Sequence, residues 1–163
     1  MKIIINKEVF KKFSSKFKVT FLKIEHFDQK TRLKESVELL DEISKLIKFT
    51  FHKDSLKTHH MISTWTTAQE EFGKDAKHYH RSVEGLMKRV LTGKKVATKN
   101  IIENLVNYVS LKYIVPISVD DFQKIEGDLF FRIANGSEKS GLIFNVKKGA
   151  LILCDQDKKN NLI

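Results

Sequence analysis

The sequence predicts an α+β fold, and three observations lead to that class. The chain has 163 residues, of which 41% are apolar, and this is enough for one domain with a buried core. Apolar residues recur at three- and four-residue steps through its middle, as in amphipathic helices. Short β-branched and aromatic runs lie near both ends, without a regular strand–helix alternation. We therefore expect one domain over residues 1–163, a mixed sheet packed with about four helices.

The N-terminal part is expected to contain strands on both sides of a short helix. Residues 2–5, which read KIII, favour a short buried strand. Residues 7–17 carry apolar side chains at helical spacing and predict a short helix. Residues 18–27 place β-branched and aromatic side chains in partial alternation, which predicts a second strand. Asp28 is then placed to cap the next helix, since aspartate accepts hydrogen bonds from free N–H groups.

Helices are predicted through the middle of the chain. A long helix spans residues 29–51 and a second spans residues 55–72. Ser82 and Gly93 bound a third, because serine favours the start of a helix and glycine its end. Asn100, followed three residues later by a glutamate, resembles a capping box at the start of a fourth. The predicted core face of this fourth helix consists of Ile102, Leu105, Val106, Val109 and Tyr113.

The C-terminal part is expected to hold the remaining strands. Asp121 is placed to start a short helical turn. Residues 129–134 and 149–154 are apolar and β-branched, and they predict strands. Cys154 ends the second of these runs, where a free cysteine usually serves as a small core residue. Residues 155–163 are polar and predict a frayed tail.

Charge and cysteine content limit the class of protein. The formal net charge is +10, which favours anionic partners such as RNA. The cations are nearly all lysines, so a biased base composition of the genome is an alternative source of this charge. No apolar run approaches the ~20 residues of a membrane span, and the N-terminus lacks a signal-peptide cleavage site. A single cysteine fits a reducing compartment. We therefore expect a cytoplasmic protein that has no membrane partner.

Six histidines raise the question of a metal site. Adjacent histidines on a helix, such as His59 and His60, point in different directions, and His78 and His80 share a face only on a strand. No cysteine pair or acidic ligand lies at zinc-like spacing. Neither a Gly-x-Ser-x-Gly elbow nor a glycine-rich phosphate loop is present. We therefore expect no metal and no cofactor.

Polar side chains lie along the fourth helix and at the ends of the segments around it, and such positions commonly build binding clefts. Asn107 lies near the predicted core face, and a buried amide needs partners. It therefore either bonds to a neighbouring loop or faces a pocket. For Asp121, capping of a helical start competes with an acid–base role. Lys94, Lys95 and Lys99 precede the helix, where they contact phosphates or only face solvent.

The segment from Asn107 to Glu138, NYVSLKYIVPISVDDFQKIEGDLFFRIANGSE, resembles the B3/B4 domain of the phenylalanyl-tRNA synthetase beta subunit. It is more similar still to the free-standing B3/B4-domain proteins, and the resemblance covers about residues 60–155. The matching positions in this segment are Asn107, Val109, Ser110, Pro116, Asp121, Lys124, Ile125, Gly127, Asp128, Arg132, Ala134, Gly136 and Glu138. Upstream, the positions Trp65, Gly73, Arg81, Ser82, Leu86, Arg89 and Gly93 also match the free-standing type.

The resemblance implies an α+β fold with a pocket for the aminoacylated 3′ end of tRNA. In the synthetase, this domain hydrolyses tyrosine wrongly attached to phenylalanine tRNA, by attack of water on the ester. The resemblance implies that Asn107 orients the ester or the attacking water. Ser118 is a second candidate for catalysis, and Lys94, Lys95 and Lys99 are candidate RNA contacts. The residues expected to line or brace the pocket are Asn104, Ser110, Asp121, Arg132 and Glu138.

Three departures distinguish the chain from the family pattern. Ser118 replaces a histidine of the synthetase, and Asn104 replaces the usual aspartate. The chain stops soon after Asp155, so we expect it to lack the Arg- and Trp-rich segment of the family. The synthetase's own active-site domain is absent, so aminoacylation is not expected. The interpretation is an aminoacyl-tRNA-binding protein, with deacylation of mischarged tRNA left open. The alternatives are a non-catalytic RNA-binding module and a degenerate, protein-interaction domain.

Overall fold

A computed structural model describes residues 2–13, 18–28, 31–63, 83–125, 127–136, 139–140, 144–145 and 151–155 of the chain. It confirms the α+β class. In order, the elements are β1 (Ile3–Ile5), α1 (Lys7–Phe13), α2 (Leu33–Thr50), α3 (Val83–Leu91), α4 (Ile101–Tyr113), β2 (Leu129–Ile133), β3 (Lys139–Ser140), β4 (Phe144–Asn145) and β5 (Leu151–Asp155), with 3₁₀ turns at Leu56–Thr58 and Phe122–Lys124. Residues 60–63 are also helical. The predictions for Trp65, Gly73, His78, His80, Ser82 and Glu138 lie outside the described residues.

The described residues belong to two compact units. Residues up to Lys23 and from Asp120 onward form one, which we call the sheet unit. The described residues between Ile24 and Val119 form the other, which we call the helix unit. The sheet unit holds α1 and all the described strands, whereas α2, α3 and α4 lie in the helix unit. The expectation of one domain over the whole chain stays a prediction.

The main sheet of the sheet unit is mixed, as predicted. β2 lies between β1, to which it is parallel, and β5, to which it is antiparallel. β1 was expected to be buried, but the side chains of Ile3 and Ile4 are 39% and 41% exposed. The prediction is wrong because β1 pairs with only one described strand, so an apolar sequence does not by itself indicate a central strand.

Residues 18–27 do not form the predicted strand. His26 has φ +55°, a left-handed conformation that a regular strand does not contain. Leu22 is 83% exposed, while the ring of Phe21 packs edge-on against Phe131 with centroids 6.2 Å apart. The aromatic side chain is thus used for packing against β2 without the backbone ladder that its alternation predicted.

The core of the helix unit lies between α2, α3 and α4. The predicted apolar face of α2 is confirmed, since Leu40, Ile43 and Ile47 are buried. The helix begins at Leu33, so Asp28 does not cap it; Asp28 Oδ2 instead accepts a hydrogen bond from the Thr31 hydroxyl at 3.0 Å. The buried members of this core are Leu40, Ile43, Ile47, Phe51, Leu56, Ile62, Val83, Met87, Val90, Val96, Leu111 and Ile114.

The buried face of α4 differs from the predicted one. The prediction that Val109 and Tyr113 face the core is wrong, because their side chains are 36% and 60% exposed. The buried side instead carries Ile101, Asn104 and Leu111. Apolar spacing failed here because the middle of the buried side is an asparagine, whose hydrogen bonds offset its burial. None of the helices among the described residues is long and apolar enough to cross a membrane.

Candidate functional site

The site begins where α3 ends, at Gly93. This glycine has φ +74°, a conformation that L side chains rarely adopt. Its N–H donates to the Val90 carbonyl at 3.0 Å, and the next N–H, of Lys94, donates to the Arg89 carbonyl at 2.9 Å. These two bonds form a Schellman motif, in which glycine satisfies the last carbonyls of a helix. The prediction that Gly93 ends the third helix is confirmed, and the chain is turned into the segment that leads to α4.

Residues 94–99, which we call the basic loop, are held by side chains from both flanking helices. Arg89 on α3 donates from Nη2 to the Lys95 carbonyl at 2.8 Å. Asn107 on α4 donates from Nδ2 to the Val96 carbonyl in a longer bond of 3.5 Å. The Val96 side chain is buried in the core of the helix unit. Two carbonyls and one apolar anchor therefore fix the first half of the loop.

Asn104 fixes the second half of the loop. It has no exposed surface, and its Oδ1 accepts from the Thr98 N–H at 2.8 Å. Its Nδ2 donates to the Thr98 carbonyl at 3.1 Å and to Ser36 Oγ on α2 at 3.0 Å. Ser36 in turn donates to the Leu33 carbonyl at 2.7 Å. Both the oxygen and the nitrogen of the Asn104 amide are thus hydrogen-bonded. From its position on α4, this side chain braces the loop against α2.

Asn100 starts α4. Its side-chain oxygen accepts from the N–H groups of Ile102 at 2.9 Å and Glu103 at 3.3 Å, which confirms the predicted cap. In a complete capping box, the Glu103 side chain would bind the Asn100 N–H. That N–H donates instead to Thr98 Oγ1 at 3.0 Å. The cap is therefore shared between α4 and the basic loop.

Asn107 is half-buried on α4, and of the two alternatives from the sequence the structure has the bond to a neighbouring loop. That bond uses only the amide nitrogen. Among the described residues, none donates a hydrogen bond to Asn107 Oδ1. A side-chain carbonyl has two acceptor positions, so this oxygen remains able to bind a donor from solvent or from a ligand.

The polar residues after Asn107 in the helix unit serve the end of α4 or face solvent. Ser110 is buried and donates from Oγ to the Val115 carbonyl at 2.6 Å. This bond accompanies a left-handed residue, Ile114, at φ +54°, so the serine stabilises the C-terminus of the helix. Ser118 is exposed in the segment that follows Pro116. Ser118 makes no hydrogen bond with any other described residue.

The remaining candidates lie in the sheet unit. Asp121 accepts from the Gln123 N–H at 3.0 Å, which confirms capping of the 3₁₀ turn. Its ion pair with Lys124, at 3.9 Å, is exposed and contributes little.

Arg132 donates from Nη1 to the Ile133 carbonyl at 3.3 Å. Cys154 is buried, with its Sγ 3.7 Å from the Phe130 carbonyl, so its predicted role as a core residue is confirmed.

The histidine pair is arranged differently from the prediction. The rings of His59 and His60 do not point apart but stack, with centroids 4.6 Å apart, and His59 also packs edge-on against Phe51. The prediction failed because His59 precedes the helical residues 60–63 instead of lying within them. Within the described ranges, no group of three or more His, Cys, Asp or Glu side chains could hold a metal ion.

The electrostatics of this region are positive. Lys94, Lys95 and Lys99 are exposed, and none of the three makes an ion pair with a described carboxylate. At the other end of α4, Lys112 Nζ lies 3.1 Å from the Tyr108 hydroxyl. That hydrogen bond, more than any other interaction, raises the pKa of Lys112 above its ordinary value, so this side chain is also protonated at neutral pH.

The structure thus brings Asn104 and Asn107 together with the loop of the three lysines, while Asp121 and Arg132 lie in the sheet unit. Sequence reasoning missed the structural roles of Ser36, Arg89 and Thr98. Ser36 lies 68 residues from Asn104, and no local pattern indicates such a contact. The Gly93 that follows Arg89 was a usable signal, because a glycine C-cap predicts a fixed turn directly before the lysines.

Comparison with protein families gave one finding. The model of the family described as B3/4 domain matches residues 64–163, which is more than half of the chain. The match contains α3, the basic loop and α4 of the helix unit, and β2 to β5 of the sheet unit. Comparisons with curated proteins and with solved structures gave no significant match.

Proposed function

Since the chain belongs to the B3/4 domain family, we propose that it binds aminoacyl-tRNA and hydrolyses the ester of a mischarged tRNA. The observation that carries the proposal is Asn107. Its amide is half-buried beside the basic loop, and its Oδ1 is not used by any described residue. A side-chain carbonyl oxygen in this position accepts a hydrogen bond from a water molecule or from a ribose hydroxyl.

The proposed reaction needs orientation more than a strong nucleophile. Water attacks the ester carbonyl carbon, the bond from this carbon to the ribose oxygen breaks, and a proton of the water passes to the ribose oxygen. The amino acid and the free tRNA end are then released. Holding the water and the ester in line supplies much of the rate, because it replaces a bimolecular encounter. Asn107 takes this role. Ser110 uses its hydroxyl proton in a bond to Val115, and the Cys154 thiol is buried, so neither competes as a nucleophile in the described part of the chain.

Contact to the rest of the tRNA falls to the basic loop. Lys94, Lys95 and Lys99 supply exposed cations next to the helix that carries Asn107. Lysine binds phosphate as a point charge, without reading the base. In this proposal, the protein recognises the aminoacylated end of tRNA through Asn107 and contacts the phosphate backbone through its lysines.

A second function, a non-catalytic RNA-binding module, is favoured by Ser118. The resemblance makes this serine a candidate for catalysis, but its side chain is exposed and makes no hydrogen bond with another described residue. An exposed, unheld hydroxyl is poorly placed to position a water molecule. Binding without turnover would then be the activity of the chain.

Deacylation of mischarged tRNA tests the proposal directly. Release of the amino acid is measured on a panel of mischarged tRNAs, beginning with tyrosine attached to phenylalanine tRNA. The full chain is expected to accelerate release above the rate without protein. Asn107→Ala is expected to lose roughly 10²-fold or more of this acceleration, as when one positioned polar group is removed from an active site.

Two further variants control the assay. Glu103→Ala changes an exposed side chain on the same helix and is expected to leave the rate unchanged. Asn107→Asp keeps a side-chain oxygen but loses the donor to Val96, so it should retain more activity than Asn107→Ala if the oxygen accepts from the attacking water or the ribose hydroxyl. Binding of the panel without release indicates the non-catalytic module. If the chain shows no binding and no release of an amino acid, the proposal is overturned and the protein-interaction alternative remains.

A further inference from the structure

We propose that the basic loop is the surface that binds the phosphate backbone of RNA, and that Arg89 and Asn107 are positioning residues that hold this loop in one conformation. The inference rests on the RNA-binding part of the proposed function and adds to it. The addition is a role for two side chains from the flanking helices, which hold the loop that the proposed function assigns to RNA contact. Three independent observations support it: the charge of the segment, the exposure of its lysines and the fixation of its backbone.

The segment around this loop is strongly basic. Residues 85–102 contain five cations and no acidic residue. These 18 residues, about a ninth of the chain, therefore carry half of the formal net charge of +10. Residues 9–24 also contain five cations and no acidic residue, so the loop lies in one of two strongly basic segments of the chain. A local positive field of this kind attracts polyanions and raises their rate of association.

The lysines of the loop are available, whereas neighbouring cations are occupied. Lys88 pairs with Glu84 one turn away on α3, and Arg89 is bonded to the Lys95 carbonyl. The three loop lysines are exposed and have no carboxylate partner among the described residues. Arg89 uses one of its N–H donors to hold the loop, and a lysine has no planar fork for bidentate reading of a base. Point-charge contact to phosphates is the chemistry that remains.

The backbone of the loop is hydrogen-bonded to the flanking helices at four of its six residues. The Lys94 N–H and the Lys95, Val96 and Thr98 carbonyls all have hydrogen-bond partners on α3 or α4. Ordering a mobile loop on binding costs free energy, and a loop that is already ordered avoids that cost. Loss of the bond from Arg89 or Asn107 should therefore weaken binding even though every lysine is still present.

The first experiment measures the salt dependence of binding. Affinities of the full chain for uncharged tRNA and for a single-stranded uridine oligonucleotide are measured between 50 and 200 mM salt. The triple variant Lys94→Gln, Lys95→Gln, Lys99→Gln is expected to lower the slope of log K against log salt by about 2 to 3. For tRNA, this reduces the loss of affinity over that salt range by roughly 40-fold. A matched triple variant on α2, Lys34→Gln, Lys45→Gln, Lys48→Gln, removes the same charge and should leave the slope nearly unchanged.

The second experiment tests the positioning residues. Arg89→Met keeps the aliphatic stem but removes the donor to Lys95, and it is expected to weaken binding roughly 2- to 10-fold beyond what one lost charge causes. Arg89→Lys, which keeps a charged donor, should recover part of this loss. Asn107→Leu should weaken binding with the salt slope unchanged, because no charge is removed. If Arg89 and Asn107 only stabilised the fold, these variants would lower the melting temperature but would not weaken binding at an unchanged salt slope.

The outcomes separate this inference from the proposed function. Equal slopes for the loop and α2 variants overturn the inference, while tRNA binding by the wild type would still support an RNA-binding function. A reduced slope in the loop variant, together with no deacylation, supports the inference and overturns only the hydrolase. If the wild type binds neither RNA, both the inference and the proposed function are overturned. Unchanged affinity of both Arg89→Met and Asn107→Leu overturns the positioning role.

Discussion

Asn104 on α4 connects two other parts of the helix unit through its side-chain amide. It is fully buried, and it joins the Thr98 backbone on the basic loop to the Ser36 hydroxyl on α2. Removing its amide leaves the Thr98 N–H and carbonyl without these partners in a partly buried region. An unsatisfied buried group costs about 1–3 kcal/mol, and more than one is created here.

We therefore expect Asn104→Ala to lower the free energy of unfolding by roughly 2–4 kcal/mol. Ser36→Ala, which removes one of the partners, should cost about 1 kcal/mol. Because the two side chains share a bond, the double variant should cost less than the separate losses added together. Urea unfolding of the three variants measures this, with Glu103→Ala as the exposed control. A loss below about 0.5 kcal/mol for Asn104→Ala would contradict the role of a brace.

Residue types could be placed in functional context from the sequence, but their partners could not. Asn107 was singled out as an amide in need of a partner, and the partner proved to be a loop carbonyl. Asn104 was expected at a pocket or as a brace, and nothing in its neighbourhood indicated Ser36. A polar residue in a core is satisfied through tertiary contacts, which a local pattern does not encode.

At the scale of elements, α4 depends on its N-terminal cap. The Asn100 side chain accepts from two backbone N–H groups of the first turn. Asn100→Ala should destabilise the helix by about 1 kcal/mol, whereas Asn100→Asp should keep the cap, since aspartate is an equally good N-cap residue. Amide hydrogen exchange at Ile102 and Glu103 reports this locally. Equal acceleration in the Ala and Asp variants would show that the side-chain oxygen is not the acceptor.

Helices and their ends were more predictable than strands. Strong periodicity placed α2, and a single residue type placed the ends of α3 and α4 at Gly93 and Asn100. Residues 18–27 had the composition of a strand, but a strand also needs a neighbour to pair with, and composition does not supply one. The core face of α4 was predicted on the wrong side for a related reason, since burial of Asn104 is decided by its partners.

At the scale of the whole molecule, the pairing of β1 with β2 joins two segments of the sheet unit that lie far apart in the sequence. The Leu129 N–H donates to the Lys2 carbonyl, and the Asn6 N–H donates to the Phe131 carbonyl, each at 2.9 Å. By the alternation of a parallel ladder, Ile4 also directs its N–H toward β2, while Ile3 directs its N–H away. The two isoleucines are almost equally exposed, so they form a matched pair.

Ile4→Pro should therefore weaken the sheet unit, while Ile3→Pro should be tolerated better. Proline at position 4 removes one ladder donor and leaves a carbonyl of β2 without its partner, at a cost of roughly 1–3 kcal/mol. Amide exchange along β2 measures the effect, and faster exchange is expected only in Ile4→Pro. The pairing register would be wrong if Ile3→Pro had the larger effect.

The parallel pairing of β1 also sets an order of events during synthesis on the ribosome. The bond from the Lys2 N–H to Asp128 Oδ1 spans 126 residues of sequence, and β1 cannot pair before β2 has been translated. At about 5–20 residues per second, this interval lasts roughly 6–25 s. During this interval, the backbone of β1 has no strand to pair with, and its isoleucine side chains are accessible to chaperones. The helix unit, whose described residues end at Val119, can be completed before that partner strand exists.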